Sequence, residues 1–231
     1  MFSSQDSTDP TAGFTGRAPL FPLPDTALFP NVLLPLHIFE PRYKCMVEDV
    51  LNSDGFLALA LLKDAHDKNY GTKGCAIHDT VCLGKVVADE RLDDGRYYLL
   101  LQGVCRAKLV SEVSTDLPYR TGILEPISDQ YAAKPVIDRD HRKQELVSHF
   151  SSLFPQLGID QKLLLALDTD VELGELCDVI AHAMRLDSSV ARRLLEQSDV
   201  DERSELILEL LKLQCRDRPQ PPDFPPSFSL N

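Results

Sequence analysis

The chain has 231 residues, of which 43% are hydrophobic and 26% charged, and its formal net charge is -12. This composition is typical of one large or two small globular domains with a sizeable core. Nucleic-acid-binding surfaces need clustered Lys and Arg, whereas acidic residues are spread along this whole sequence, so the charge argues against nucleic acid as a partner.

The two ends of the sequence lack the pattern of a packed domain. Residues 1–18 are polar and predict a disordered arm, and residues 217–231 carry five prolines that predict an extended tail. The first residues have neither the basic nor the apolar region of a signal peptide, and no run approaches the ~20 apolar residues of a membrane span. We therefore expect a cytoplasmic protein with no membrane partner.

Between these ends the pattern changes once, from strands to helices. Residues 19–127 contain short apolar runs separated by turn signals, of which Asp93-Asp94-Gly95 is typical of a hairpin. Pro35 interrupts one run and predicts an edge or bulged strand. Pro41 suits the first turn of a short helix. The predicted strand segments are 32–39, 56–62, 81–88, 97–101, 104–113 and 119–127.

After a polar linker at 128–140, residues 141–216 predict a helical bundle. Asp187 and Asp199 precede two of its segments and suit N-cap positions, and Glu202 completes a capping-box pattern with Asp199. The candidate helices are 140–154, 161–167, 173–184, 188–196 and 200–215. The predicted fold class is α+β, with an antiparallel β-barrel or sheet first and a helical bundle after it.

The six cysteines form no C-x-x-C pair, which is not the pattern of a disulfide framework. We expect reduced thiols that are mostly buried and inert. Cys75 and His78 form a C-x-x-H pair without the second pair that a zinc finger needs. The sequence thus predicts no metal and no cofactor. An enzyme that uses Cys75 with His78, or a similar pair, stays an alternative.

A resemblance to a known family begins at residues 20–43, LFPLPDTALFPNVLLPLHIFEPRY. They resemble the opening signature of the Lon N-terminal substrate-binding domain, which reads apolar-Pro-Leu, then Leu-Phe-Pro, then a run ending Leu-x-Ile-Phe-Glu-x-Arg-Tyr. The same signature is found in cereblon, which selects substrates for a ubiquitin ligase. Further matches extend the resemblance over about residues 20–214 and lie at 81–86, 93–103, 176–182 and 199–211.

The resemblance implies a PUA-like β-domain at 19–127 followed by the helical bundle. In full-length Lon this domain engages unfolded or tagged polypeptides before an ATPase ring pulls them in. The sequence has no G-x-x-x-x-G-K-[ST] phosphate loop, and only residues 215–231 follow the stretch over which the resemblance extends. We therefore expect a non-enzymatic module, without ATPase or peptidase, that binds unfolded or extended polypeptide segments. A protease or chaperone encoded elsewhere is the expected recipient of those segments.

The signature block supplies the candidate polypeptide-binding residues, which are Phe29, Pro30, Leu34, Pro35, His37, Phe39, Glu40 and Arg42. An alternative role for the polar ones is structural: His37, Glu40 and Arg42 would fix the strand-to-helix turn through hydrogen bonds or an ion pair. The two phenylalanines are of a type more often found in a core than at a contact surface. A sheet edge that the prolines leave open can accept an extended peptide by strand addition.

A second function from another class also follows from the resemblance. PUA-like folds are associated with RNA recognition, so RNA or nucleotide binding is the alternative to polypeptide binding. The acidic charge argues against it, because phosphates need basic partners.

Overall fold

The computed structural model describes residues 9–64, 72–154 and 171–217. Six strands and five helices lie within these residues. The strands are β1 Arg17–Leu23, β2 Leu33–Ile38, β3 Phe56–Leu61, β4 Thr80–Arg91, β5 Tyr97–Val113 and β6 Arg120–Ile127. The helices are α1 Pro41–Leu51, α2 Arg139–Leu153, α3 Leu173–Ala183, α4 Ser188–Glu196 and α5 Val200–Asp217.

The strands form one sheet that closes on itself through β5. Its order is β2-β5-β4-β3-β1-β6, and β5 pairs with β6 as well. β5 is long enough, at 17 residues, for its first half to pair with β2 and its second half with β6. The predicted hairpin between β4 and β5 is confirmed, and Gly95 adopts the positive φ of 77° that its turn requires. β2 is therefore an edge strand attached to a closed barrel.

One pair departs from the antiparallel sheet that the sequence predicts. β1 runs parallel to β3, with Leu20 opposite Ala58. The physical reason is the connection between them, because β2 and α1 lie between the two strands and allow the chain to cross over and return in the same direction. The other strand pairs in the described residues are antiparallel.

β3 is buried along its whole length and separates two apolar cores. Phe56, Ala58 and Ala60 point into the barrel, whereas Leu57 and Leu59 point to a second core outside it. Side chains alternate across a strand, so a strand covered on both faces is apolar at every position. The second core contains the buried residues of α1 and the helices that follow the barrel, so the barrel and the helical unit pack on a shared layer.

The signature block is held against the middle of β5 by a close backbone contact. Asn31 N–H donates to the Gly103 carbonyl at 2.9 Å, and Gly103 N–H donates to the Val32 carbonyl at 2.8 Å. A Cβ on residue 103 would overlap the Phe29 carbonyl group, so this contact requires glycine. The contact fixes where β2 begins and hence which of its side chains face outward.

One helix and one strand begin earlier than expected from the sequence. α2 begins at Arg139 because the Asp138 carboxylate accepts the N–H groups of Asp140 and His141, so helical structure starts inside the segment expected as a linker. Likewise β1 begins at Arg17, inside the expected arm 1–18. Residues 1–8, the candidate helix 161–167 and the tail from residue 218 onward lie outside the described residues.

The predicted N-cap of α5 is confirmed, with a different partner in its capping box. Asp199 accepts the N–H groups of Asp201 at 2.9 Å and Glu202 at 3.1 Å. The Gln197 side chain, in place of Glu202, accepts the Asp199 N–H at 3.0 Å. Asp187 stands at the N-cap of α4 but makes no side-chain cap hydrogen bond.

Candidate functional site

The outer face of β2 is apolar and open. Strand alternation turns Leu34 and Leu36 toward the core and leaves Leu33, Pro35 and His37 exposed. Leu33 is 51% exposed, and Phe39, one residue beyond the strand, is 59% exposed. Large apolar side chains this open are unusual when they stand together, and a contiguous group of them marks a surface that contacts another molecule.

β5 extends this face with an aromatic side chain. Tyr98 lies opposite His37 in the sheet register and is itself exposed. The His37 ring stacks on the Tyr98 ring with centroids 4.9 Å apart, and the Phe39 ring is tilted against His37 with centroids 5.9 Å apart. We call Leu33, Pro35, His37, Phe39 and Tyr98 the outer β2–β5 face. It combines apolar surface with polar atoms on two of its rings.

Three of the sequence-predicted site residues lie elsewhere. Phe29 and Pro30 are buried under the close contact with Gly103, and Leu34 packs on the core beneath β2. Phe29 also lines a cavity of about 190 Å³ between the loop at residues 25–27 and α3, opposite His182. These side chains therefore support the outer β2–β5 face from below and are not part of it.

Glu40 and Arg42 face each other at the start of α1. The Arg42 Nη2 lies 2.9 Å from Glu40 Oε2, and the guanidinium sits 4.3 Å from the centre of the Tyr43 ring. Glu40 occupies the N-cap position, and Pro41 is the first helical residue. This geometry fits the ion-pair interpretation of the two residues, which hold the turn that ends the outer β2–β5 face.

A buried charge network joins the barrel to the helical unit, and the sequence reading missed it. Arg106 of β5 is 2% exposed and donates to both carboxylate oxygens of Asp178 in α3, at 2.9 and 2.5 Å. Its Nε donates to the Leu195 carbonyl near the end of α4 at 3.0 Å. Burial alone would lower the pKa of Arg106, but the hydrogen bonds to Asp178 raise it above its ordinary value.

The same network continues to α5 through a second arginine. Arg203 is fully buried, donates to Asp129 Oδ2 at 2.5 Å and to the Gln197 carbonyl at 2.7 Å, and lies 3.6 Å from Asp178. A Cβ at position 174 would overlap the Asp129 carboxylate, so Gly174 gives the network its space. Each of these charges loses its hydration on burial and is stabilised by its partner instead. A small displacement of either partner therefore costs considerable free energy.

Above this network lies an acidic cleft of about 500 Å³ between the barrel and the helical unit. Asp9, Glu172 and Glu175 line it together with Asp129 and Asp178. Burial raises the pKa of Glu175, and the neighbouring carboxylates raise it further. In the part of the chain that the structure describes, no three His, Cys, Asp or Glu side chains are arranged to hold a metal ion.

The geometry around Cys75 and His78 does not form a nucleophile–base pair. Cys75 and Ile77 are buried in the barrel core, whereas Ala76 is exposed, so Cys75 and His78 lie on opposite sides of this extended segment. His78 instead faces α4, where burial and then Arg192 lower its pKa. The Cys75 sulfur lies 3.3 Å from the Arg120 guanidinium, which is itself paired with Glu112.

Three further thiols, Cys82, Cys105 and Cys177, are also unsuited to nucleophilic chemistry. Burial raises the pKa of Cys105 to about 11 and that of Cys177 to about 12, and it raises the pKa of Cys82 well above its ordinary value. Thiols react as thiolates, so these three groups are protonated and inert at neutral pH. Three of the six free cysteines are buried and three are partly exposed.

Sequence reasoning missed Tyr98, although a signal for it was present. The hairpin turn at Gly95 sets the register of β5, and of the adjacent pair Tyr97 and Tyr98 only one can face the core. For Arg106 the signal was a charge directly between two small apolar residues, Cys105 and Ala107.

The helices in the described part of the chain include no candidate membrane span.

Comparison with known proteins gives a consistent family. The family described as "ATP-dependent protease La (LON) substrate-binding domain" matches residues 17–213. "Lon protease 2" of Bdellovibrio bacteriovorus is 26% identical over 195 residues, and "Lon protease" of Desulfosudis oleivorans is 26% identical over 208 residues. Each alignment covers 84% of this chain but 24% of the relative, so the chain spans about a quarter of the length of these proteins.

Solved structures share the fold. The N-terminal domain of Lon protease from the Mycobacterium avium complex superposes with a TM-score of 0.66 at 16% identity, over 85% of this chain and 98% of that one. A Lon N-terminal domain protein from Xanthomonas campestris gives a TM-score of 0.59 at 21% identity, over 84% and 97%. With the profile match across the barrel and the helical unit, these similarities show that the chain belongs to the Lon substrate-binding domain family.

Proposed function

We propose that the chain is a non-enzymatic recognition module that binds unfolded or extended polypeptide segments on its outer β2–β5 face. The observation that carries this proposal is the open apolar surface of Leu33, Phe39 and Tyr98 on an edge strand of a family defined by substrate binding. Unfolded segments differ from folded proteins in displaying apolar side chains, and an exposed apolar face recognises that difference.

The shape of β2 supports recognition through side chains more than through backbone pairing. β2 pairs with β5 on one side, and Pro35 removes one N–H from the strand that an added peptide strand would otherwise use. The aromatic rings of His37, Phe39 and Tyr98 are rigid contact groups that lose little conformational freedom on binding. A bound segment would therefore lie across these rings, with apolar side chains between them.

Charge supports a polypeptide over a polyphosphate partner. The formal net charge of -12 repels nucleic acid, and none of the residues of the outer β2–β5 face carries a fixed positive charge. The free cysteines are typical of a reducing compartment, so we place the protein in the cytoplasm. There it would pass bound segments to a protease or chaperone, and it would use neither nucleotide nor metal.

The test is a binding titration with a permanently unfolded, fluorescently labelled polypeptide, read by anisotropy. We expect saturable binding of the unaltered protein and at least about tenfold weaker binding after Leu33→Glu with Phe39→Glu, because both changes put charge where apolar contacts form. The matched control is Val136→Glu with Val110→Glu, which introduces the same two charges at exposed valines outside this face.

Two outcomes would contradict the proposal. Equal loss of binding in the control and in the face variant would mean that charge alone repels the polypeptide. Binding of labelled RNA that falls with added salt, without any binding of the unfolded polypeptide, would favour the nucleic-acid alternative.

A further inference from the structure

The second half of β4 is an open sheet edge. β4 pairs with β3 only at residues 82–85, after which Val86 N–H donates to the Gly55 carbonyl at 2.9 Å. Residues 87–91 continue the strand, pair with β5 alone in the described part of the chain, and are all exposed. β2 contains a proline, whereas this segment, Val-Ala-Asp-Glu-Arg, contains none. An unpaired edge of this kind is a template for an added strand.

The hairpin register shows which backbone groups face this edge. Leu92 N–H donates to the Arg96 carbonyl at 2.9 Å, so the backbone of residue 92 points toward β5. The direction alternates along an antiparallel strand, so residues 88 and 90 also point toward β5, whereas Asp89 and Arg91 point outward. These two residues therefore present two N–H groups and two carbonyls at the spacing with which an extended chain pairs.

The side chains of this edge continue the outer β2–β5 face. The register places Ala88 beside Leu100 and Glu90 beside Tyr98. Because Ala88 is small, a side chain of an added strand can pass over it and contact the half-buried Leu100. Arg91 lies on the opposite side of the strand, with its guanidinium 5.7 Å from the Tyr97 ring. Glu90 is exposed and has no ion-pair partner among the described residues.

We propose that an extended polypeptide pairs with this edge as an added strand, with an apolar side chain over Ala88 and a lysine or arginine beside Glu90. The inference rests on the proposed function, because it states how a bound segment is aligned and which sequences are preferred. Alternate residues of a strand share a face, so the two recognised side chains stand two residues apart. The edge therefore selects unfolded segments that carry apolar and basic residues at this spacing over acidic segments.

A second copy of the chain complements this edge less well than a basic segment. The twofold register that pairs the outward groups of residues 89 and 91 sets Glu90 directly opposite Glu90 of the other copy. Like charges directly opposite each other destabilise a sheet. The carboxylate that opposes self-pairing attracts a cationic side chain, and the formal net charge of -12 adds to that attraction.

N-methylated peptides test the backbone pairing with the unaltered protein. The parent peptide has leucines and one lysine on alternate residues and threonine between them, and the two derivatives carry N-methyl groups on one or the other alternate set. The leucines and the lysine fix which face is outward, so only one set of amides faces β4. We expect that derivative to bind at least about tenfold more weakly than the other, read by anisotropy of a label.

The outcomes separate this inference from the proposed function. Equal affinities of the two derivatives overturn the strand addition, because contact through side chains alone does not distinguish the two sets of amides. If neither the parent peptide nor the permanently unfolded polypeptide binds, the proposed function fails and this inference fails with it. A dimer in sedimentation experiments that the parent peptide dissociates would show that a second copy occupies the edge, which also overturns the assignment.

Proline at residue 89 tests the same contact from the side of the protein. Asp89→Pro removes one outward N–H and leaves the β4–β5 hydrogen bonds, and an edge strand tolerates proline where the lost N–H faces solvent. We expect about fivefold weaker binding of the parent peptide than in the control Asp89→Ala, which removes the same charge and keeps the N–H. Circular dichroism and urea midpoints show whether both variants are folded. Equal binding by two folded variants overturns the assigned edge.

Charge reversal tests the basic subsite. The unaltered protein should bind the parent peptide about threefold more tightly than the same peptide with glutamate in place of lysine. Glu90→Lys should invert this order. The control Glu209→Lys makes the same charge change at an exposed position of α5 and should keep it. An order that Glu90→Lys leaves unchanged overturns the assignment of Glu90.

Discussion

The two halves of β5 invert the usual relation between side-chain type and burial. In the first half, beside β2, Tyr98 is exposed and forms part of an open apolar face. In the second half, beside β6, Arg106 is buried and bound to Asp178 of the helical unit. One strand thus carries part of the surface that we propose binds polypeptide and the contact that joins the barrel to the helical unit. Stability and binding should therefore respond to different substitutions.

The largest effect on stability is expected from Arg106→Met. Removing this guanidinium leaves Asp178 buried without its two strong hydrogen bonds, and breaking such a pair typically costs about 3–5 kcal/mol of unfolding free energy. Urea denaturation measures this loss. The matched control, Arg96→Met, removes an exposed arginine whose partner is Asp94 in the hairpin turn, and it should leave the midpoint unchanged.

Arg106→Met with Asp178→Leu should be more stable than Arg106→Met alone, because the buried charge is removed together with its partner. A loss in Arg106→Met no greater than that in Arg96→Met would show that the network does not join the two units.

A smaller loss, about 2 kcal/mol, is expected from Gly174→Ala, because the added Cβ collides with the Asp129 carboxylate and a tightly packed site does not yield. The direction of the change in unfolding free energy is diagnostic of crowding at residue 174. Without crowding the substitution would stabilise the helix, because alanine is intrinsically better than glycine in a helix by about 1 kcal/mol. Ser189→Ala on an exposed position of α4 is the control and should change stability by less than about 0.5 kcal/mol. Stabilisation by Gly174→Ala would contradict the crowding described here.

The pH dependence of stability should carry a contribution from His182, beside the cavity that Phe29 lines. Burial, and then Arg185, lower its pKa, so the unfolded chain binds a proton first as pH falls below about 6.5. The resulting loss of unfolding free energy is absent above about pH 6.5, and it grows as the pH falls toward the pKa of His182 in the folded protein. Urea midpoints between pH 7.5 and 5 should therefore decline, and less steeply in His182→Gln.

His78 also has a lowered pKa and contributes a slope of the same sign, so His182→Gln should remove only part of the decline. An unchanged slope in His182→Gln would show that this imidazole is as solvated in the folded protein as in the unfolded one.

The smallest effect on stability is expected on the outer β2–β5 face. Leu33→Thr introduces a β-branched residue that suits a strand at a half-exposed position, and it should change the unfolding free energy by less than about 0.5 kcal/mol. The same variant should weaken polypeptide binding. A loss of stability comparable to that of Gly174→Ala would mean that this face packs within the fold and is not free to bind.

Local signals predicted most of the fold. The Asp93–Gly95 turn set the β4–β5 hairpin, and Pro35 marked β2 as an edge strand. Asp199 marked the start of α5. The parallel pairing of β1 with β3 could not be predicted this way, because both strands are apolar and no turn connects them. It depends on contacts between distant parts of the chain.

The candidate site was predictable only in part, for a related reason. Alternation along β2 turns His37 outward and Leu34 inward, but this pattern is readable only once the start of the strand is known. Gly103 sets that start through its contact with residues 29–32. Tyr98 belongs to the outer β2–β5 face because the strand register places it opposite His37. Arg106 pairs with Asp178 because tertiary packing brings β5 against α3. The spacing of these residues in the sequence predicts neither contact.

The position of β1 between β3 and β6 has a consequence for synthesis of the protein. On one side β1 pairs with β3, but on the other Arg17 pairs with Ile123, which leaves the ribosome about 5 to 20 seconds later at ordinary translation rates. Until then the edge of β1 that β6 will cover is open to other strands. The nascent chain thus passes through an interval in which it is itself an unfinished polypeptide with an exposed sheet edge.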